Sequence, residues 1–155
     1  MSRPLTLAEG TFLRIPLEDG SFGYGRVLMR PYMALYHYQT VEPSSDLDEI
    51  ARQPVMFKQA VRLFRSDGWV TLGRRPLAGE VARPVVRFMQ SLGDFRKCTI
   101  FDTTGRERRV TPAECVGIER AASWDANHIE ERLLDTFMGR PNLCEVHARV
   151  RFDDL

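Results

Sequence analysis

The stretch Thr11-Phe12-Leu13-Arg14-Ile15-Pro16-Leu17-Glu18-Asp19-Gly20-Ser21-Phe22-Gly23-Tyr24-Gly25-Arg26-Val27 decides the fold. Residues 11–17 read as a short strand. Asp19-Gly20 supplies a turn, because glycine adopts positive φ without a Cβ clash. Residues 22–29 read as the returning strand, so the two form a hairpin. Pro31 interrupts, and residues 32–41, rich in aromatic and β-branched side chains, follow as a third strand. The N-terminal part is therefore expected to be a three-strand antiparallel meander.

Residues 43–48 are a polar connection. Ser45 or Asp46 can cap a short helix through Asp48, Glu49, Ile50 and Ala51, and Pro54 stops it. Val55, Phe57, Gln59, Val61 and Leu63 alternate, so residues 55–64 read as a strand. Asp67-Gly68 is a turn, residues 69–72 a further short strand, and residues 73–84 an irregular surface segment. Residues 85–90 and 97–101 read as strands on either side of Leu92-Gly93-Asp94, and Thr103-Thr104-Gly105 closes the second.

Thr111-Pro112-Ala113-Glu114 is a capping box with proline at the first helical position, and Gly117 keeps that helix short. Residues 123–137 form the clearest helix, capped by Ser123 or Asp125, with Ile129, Leu133, Leu134 and Phe137 on one face. Gly139 and Pro141 end it. The alternation of Val146, Ala148, Val150 and Phe152 predicts a last strand over residues 145–152, with Asp153-Asp154-Leu155 as a frayed tail. The expected fold is α+β: a predominantly antiparallel, twisted sheet, a packed C-terminal helix and one or two short helices.

The 155 residues, 43% hydrophobic and 28% charged, suit one globular domain spanning residues 1–155. Twenty-two basic and 21 acidic side chains leave a net charge of +1, which gives no overall pull towards nucleic acid or a lipid surface. No apolar run approaches the roughly 20 residues a bilayer requires. The first ten residues carry no basic start followed by an apolar stretch. Cys98, Cys115 and Cys144 are odd in number, widely spaced and without a CxxC pair, which argues against a disulfide framework and a structural zinc site. A reducing cytoplasm is the simpler reading.

The search for chemistry returns little. His37, His128 and His147 lie at neither HExxH nor HxH spacing, so no metal or other cofactor is expected. On a strand, Cys144 and His147 would point to opposite faces and could not form a nucleophile pair. Phe22-Gly23-Tyr24-Gly25-Arg26 contains GxG but lacks the third glycine and the strand–turn–helix setting of a nucleotide site, and close backbone packing explains it better. Arg106, Glu107, Arg108 and Arg109 read as a solvated strand edge. Tyr32, Tyr36 and Tyr38 suit an interface or a core equally.

With these segments in hand, the chain resembles the immunity protein 26 family of bacterial polymorphic toxin systems. The resemblance rests on residues 9–20 with Phe22-Gly23-Tyr24-Gly25-Arg26-Val27. It continues through Gln53-Pro54-Val55-Met56-Phe57-Lys58 with Gly68-Trp69 and Leu72-Gly73. Late segments are Glu119-Arg120-Ala121-Ala122 with Trp124, and His128-Ile129-Glu130 with Arg132-Leu133. It implies a small intracellular α+β protein, not an enzyme, that binds and neutralises a cognate toxin one-to-one, the toxin commonly being encoded beside it. It transfers no catalytic residues.

Many delivered toxins are nucleases with basic clefts, which an acidic loop would plug. The acidic candidates are Glu42, Asp46, Asp48 and Glu49, although acids here also suit a helix start. Two alternatives stay open. A nucleic-acid-binding module would gather Arg96, Lys97, Arg106, Arg108 and Arg109 on one face. A small enzyme would pair His37 with Asp102 or another carboxylate.

Overall fold

A computed structural model describes residues 5–152, so the tail at Asp153-Asp154-Leu155 lies outside them. The described chain is α+β and divides into two compact units. One runs up to Arg83 and includes Ser123–Asn142; the other comprises Pro84–Ala122 and the chain from Leu143 onward.

The first unit is a six-stranded sheet. Its strands are β1 (Thr11–Pro16), β2 (Phe22–Val27), β3 (Tyr32–Tyr36), β4 (Val55–Arg62), β5 (Val70–Arg74) and β10 (Ser123–Asp125), in the order β10-β4-β3-β2-β1-β5. The meander is present: β1 pairs β2 with Leu13 opposite Gly25, and β2 pairs β3 with Gly25 opposite Leu35. The third strand ends at Tyr36 rather than at residue 41. Thr40 returns only as an isolated bridge to Phe22, and its hydroxyl meets the Tyr24 hydroxyl at 2.6 Å. Tyr36 is buried, whereas Tyr38 is half-buried and packs on Tyr24.

Each face of this sheet has its own cover. The register puts Leu13, Ile15, Gly23, Gly25 and Leu35 on one face, and α2 (Ala126–Phe137) brings buried Ile129 and Leu133 to it. The other face carries Phe12, Tyr24, Arg26 and Tyr36. Above it lie α1 (Leu47–Ala51), whose Ile50 is fully buried, and the segment around Arg75 and Pro76. Asp46 is the N-cap of α1, its carboxylate accepting from Glu49 N at 3.1 Å; Ser45 is not. The 3-10 turn Arg65–Asp67 precedes Gly68, which takes the left-handed conformation at φ 79°.

Two boundaries differ from the sequence reading for tertiary reasons. Ser123–Asp125 is a strand, not the first turn of α2. It lies parallel to β4, with Trp124 opposite Val61 and buried. Asp125 stands at the N-cap of α2, but its carboxylate takes the Arg62 Nε–H at 2.9 Å instead of capping.

The second unit is a four-stranded sheet in the order β8-β7-β6-β9, from β6 (Val86–Gln90), β7 (Cys98–Asp102), β8 (Glu107–Val110) and β9 (Glu119–Arg120). Phe88, Cys98, Ile100, Val110 and Cys115 form its core. The capping box is present over a 3-10 turn, Pro112–Cys115, and Gly117 follows at φ 83°.

The expected last strand is instead a helix, α3 (Leu143–Ala148). Alternation over a short run does not separate strand from helix. Two interactions favour the helix. Glu145 and Arg149 form an i,i+4 ion pair at 2.9 Å. The Arg120 guanidinium donates to the carbonyls of Ala148 at 3.0 Å and Arg149 at 3.1 Å, satisfying acceptors that a helix end leaves unpaired.

Candidate functional site

The four acidic candidates sit where the chain leaves Thr40 and enters α1, and three of them are bound to the chain itself. Asp46 caps α1. Asp48 pairs with Arg75, whose charge and hydrogen bond hold the carboxyl below the usual aspartate range. Glu49 pairs with Arg52 and accepts from the Gln53 amide at 3.0 Å. Glu42 is exposed and makes no hydrogen bond or ion pair among the described residues. The group thus builds and neutralises a helix start, leaving Glu42 as its outward charge.

Two of the candidates for catalysis, His37 and Asp102, are engaged locally. The His37 ring meets Phe137 edge-on at 5.7 Å, and its backbone N–H donates to Pro54 O at 2.8 Å. Asp102 accepts from the Thr104 amide at 2.8 Å and hydroxyl at 2.5 Å, closing the turn before β8 and holding its carboxyl below the usual range. On α3 the three-residue spacing of Cys144 and His147 places them on one helical face, unlike the strand expectation. No hydrogen bond joins them among the described residues. Among those residues, no group of three or more His, Cys, Asp or Glu is placed to hold a metal.

The basic stretch is a solvated edge, as read: β8 is an outer strand and residues 106–109 are exposed. Arg108 and Arg109 are successive on it, so they point to opposite faces. Arg108 pairs with Glu114 at 3.2 Å, and Arg96 with Asp94 at 3.0 Å. Arg108 and Arg109, two of the side chains a nucleic-acid module would gather on one face, are thus on different faces of β8.

What the sequence reading missed lies on the sheet face opposite α2. Arg26 is buried there beside Phe12 and Tyr36, and all three are among the residues lining a cavity of about 520 Å³. The one signal was an arginine at a position whose strand partner, Phe12, faces inward.

The profile of Immunity protein 26 matches residues 8–99, more than half of the chain. The chain belongs to the immunity protein 26 family. The match covers β1 to β6 and the start of β7, and therefore the hairpin, α1 and the Arg26 cavity. The late segments that also suggested immunity protein 26, from Glu119 to Leu133, lie beyond it. No curated protein and no solved structure matches the chain. Membership places it among the immunity proteins of toxin systems. Among the described residues, no helix is long and apolar enough to cross a membrane.

Proposed function

We propose that this chain neutralises one cognate bacterial toxin domain by binding it one-to-one in the cytoplasm, occluding its active site or another essential surface. Membership of the immunity protein 26 family carries the reading. The local engagement of His37 and Asp102 supports it, because inhibition by binding needs a scaffold and a surface rather than a reactive group. Glu42, at the exposed approach to α1, is the charge this reading assigns to first contact with a basic toxin surface. Asp46, Asp48 and Glu49 hold the segment that presents it.

Co-expression tests the reading. Cells carrying the toxin gene adjacent to this one should survive with this gene present and die when it is deleted. Survival at full toxin activity without it contradicts the reading.

A further inference from the structure

Val41, Glu42 and Pro43, between β3 and α1, are all exposed, Val41 at 81%. Both ends of this short loop are nevertheless fixed to buried structure. Thr40 exchanges backbone hydrogen bonds with Phe22 of β2, at 2.8 and 3.0 Å. The Thr40 hydroxyl meets the Tyr24 hydroxyl at 2.6 Å, and the Ser44 amide donates to the same Tyr24 oxygen at 2.9 Å. Arg14 of β1 adds a bond from Nη1 to the Ser44 carbonyl at 3.2 Å. Tyr24 itself is 0% exposed. One buried tyrosine oxygen thus holds residue 40 and residue 44 together.

A phenylalanine ring would pack against Tyr38 equally well. A buried hydroxyl is unfavourable unless it is bonded. The Tyr24 oxygen is bonded, and its two partners are the two ends of the loop. The sequence therefore places a buried polar atom where it sets the shape of a segment that adds nothing to the core. Single exposed aliphatic side chains are ordinary, and Leu92, at 90%, is one. Val41 differs in being held from both sides. It also stands next to Glu42, which makes no hydrogen bond or ion pair among the described residues.

A loop ordered before binding loses little freedom when a partner closes over it. Its chemistry narrows what it fits. An aliphatic side chain is buried well only in an apolar hollow, and an uncompensated carboxylate favours a cation opposite it. We infer that Val41-Glu42-Pro43 is the element that enters the surface of the toxin domain. Val41 fills an apolar hollow there, and Glu42 meets a lysine or arginine on its rim. The Tyr24 hydroxyl is the positioning group that keeps the loop in shape. The inference rests on the toxin reading and names the part of the chain that makes the central contact.

Equilibrium binding of the full chain to the purified toxin domain tests it, with thermal unfolding of each variant run alongside. Val41→Ser should leave the unfolding midpoint unchanged and weaken binding about tenfold, as expected for one valine no longer buried. Leu92→Ser, at an equally exposed aliphatic side chain in the second unit, should leave both unchanged. Tyr24→Phe frees the loop ends, so in that background Val41→Ser should weaken binding by less than threefold. A merely structural role for the hydroxyl would leave the two effects independent. A full tenfold effect of V41S in Y24F therefore overturns the positioning role. Wild-type binding that V41S matches, or that L92S weakens as much as V41S does, overturns the inference and leaves the toxin reading standing. No binding by the wild-type chain overturns the toxin reading and this inference with it.

Discussion

Leu133 of α2 packs directly onto Gly23 of β2: a Cβ on that glycine would sit 3.1 Å from Leu133 Cδ1. The helix approaches the sheet this closely because β2 carries no side chain there. Gly23→Val should destabilise the fold by about 1–3 kcal/mol through overpacking. Leu133→Ala, which leaves a cavity, should cost about 2–5 kcal/mol. Thermal or urea unfolding measures both, and a neutral G23V would show that α2 is not seated there.

Two carboxyls should give the folding stability opposite pH slopes. Burial pushes the Glu130 carboxyl up, against the Trp69 indole hydrogen bond at 2.8 Å, which lowers it. Its contribution is fully present below the ordinary glutamate value of about 4.3 and is lost as pH rises through the higher folded value. Glu130→Gln should flatten stability across that window. Asp48, held low by Arg75, contributes above the ordinary aspartate value of about 3.9, and this is lost as pH falls through the lower folded value. Asp48→Asn should remove that acid-side loss. Urea unfolding at a series of pH values checks both signs.

Thiol chemistry should separate the three cysteines. Cys98 and Cys115 are buried in the second core, whereas Cys144 is half-buried on α3. Burial, with the neighbouring Cys98 as the next influence, pushes the Cys115 thiol up to about 11. A thiol-disulfide reagent at pH 8 should label one cysteine quickly and the other two only on unfolding, since the thiolate is the reactive form. Cys144→Ser should abolish the fast phase. Two fast thiols in the native protein would contradict this packing.

The acids around α1 should divide by role. Asp46→Ala removes a cap and should cost about 1 kcal/mol of stability. Glu42→Arg touches nothing in the chain, so it should leave the unfolding midpoint unchanged and slow association with a basic toxin surface. That slowing should fade at high salt. Stopped-flow association at two salt concentrations measures it.

Much of the fold was legible in the sequence because local signals agreed with tertiary packing. Asp19-Gly20 marked the hairpin, Asp46 and Pro54 bracketed α1, and Thr111 with Glu114 marked the capping box. The misreadings came where a distant partner decides. Ser123 and Asp125 look like helix caps, but β4 lies beside them and recruits both into a strand. Val146 to Phe152 alternates like a strand, yet Arg120 supplies the acceptor-satisfying contact that a helix end needs. The Arg26 cavity was illegible for the same reason, since its lid at Arg75 and Pro76 is 49 and 50 residues away in sequence.

Neutralisation by binding is tested most directly by calorimetric titration of the purified chain into the purified domain of the toxin that the proposed function assigns to it, with toxin activity assayed at each point. The account predicts heat that saturates at one chain per toxin domain and activity that vanishes at that ratio. No heat, with full activity under excess chain, would contradict it.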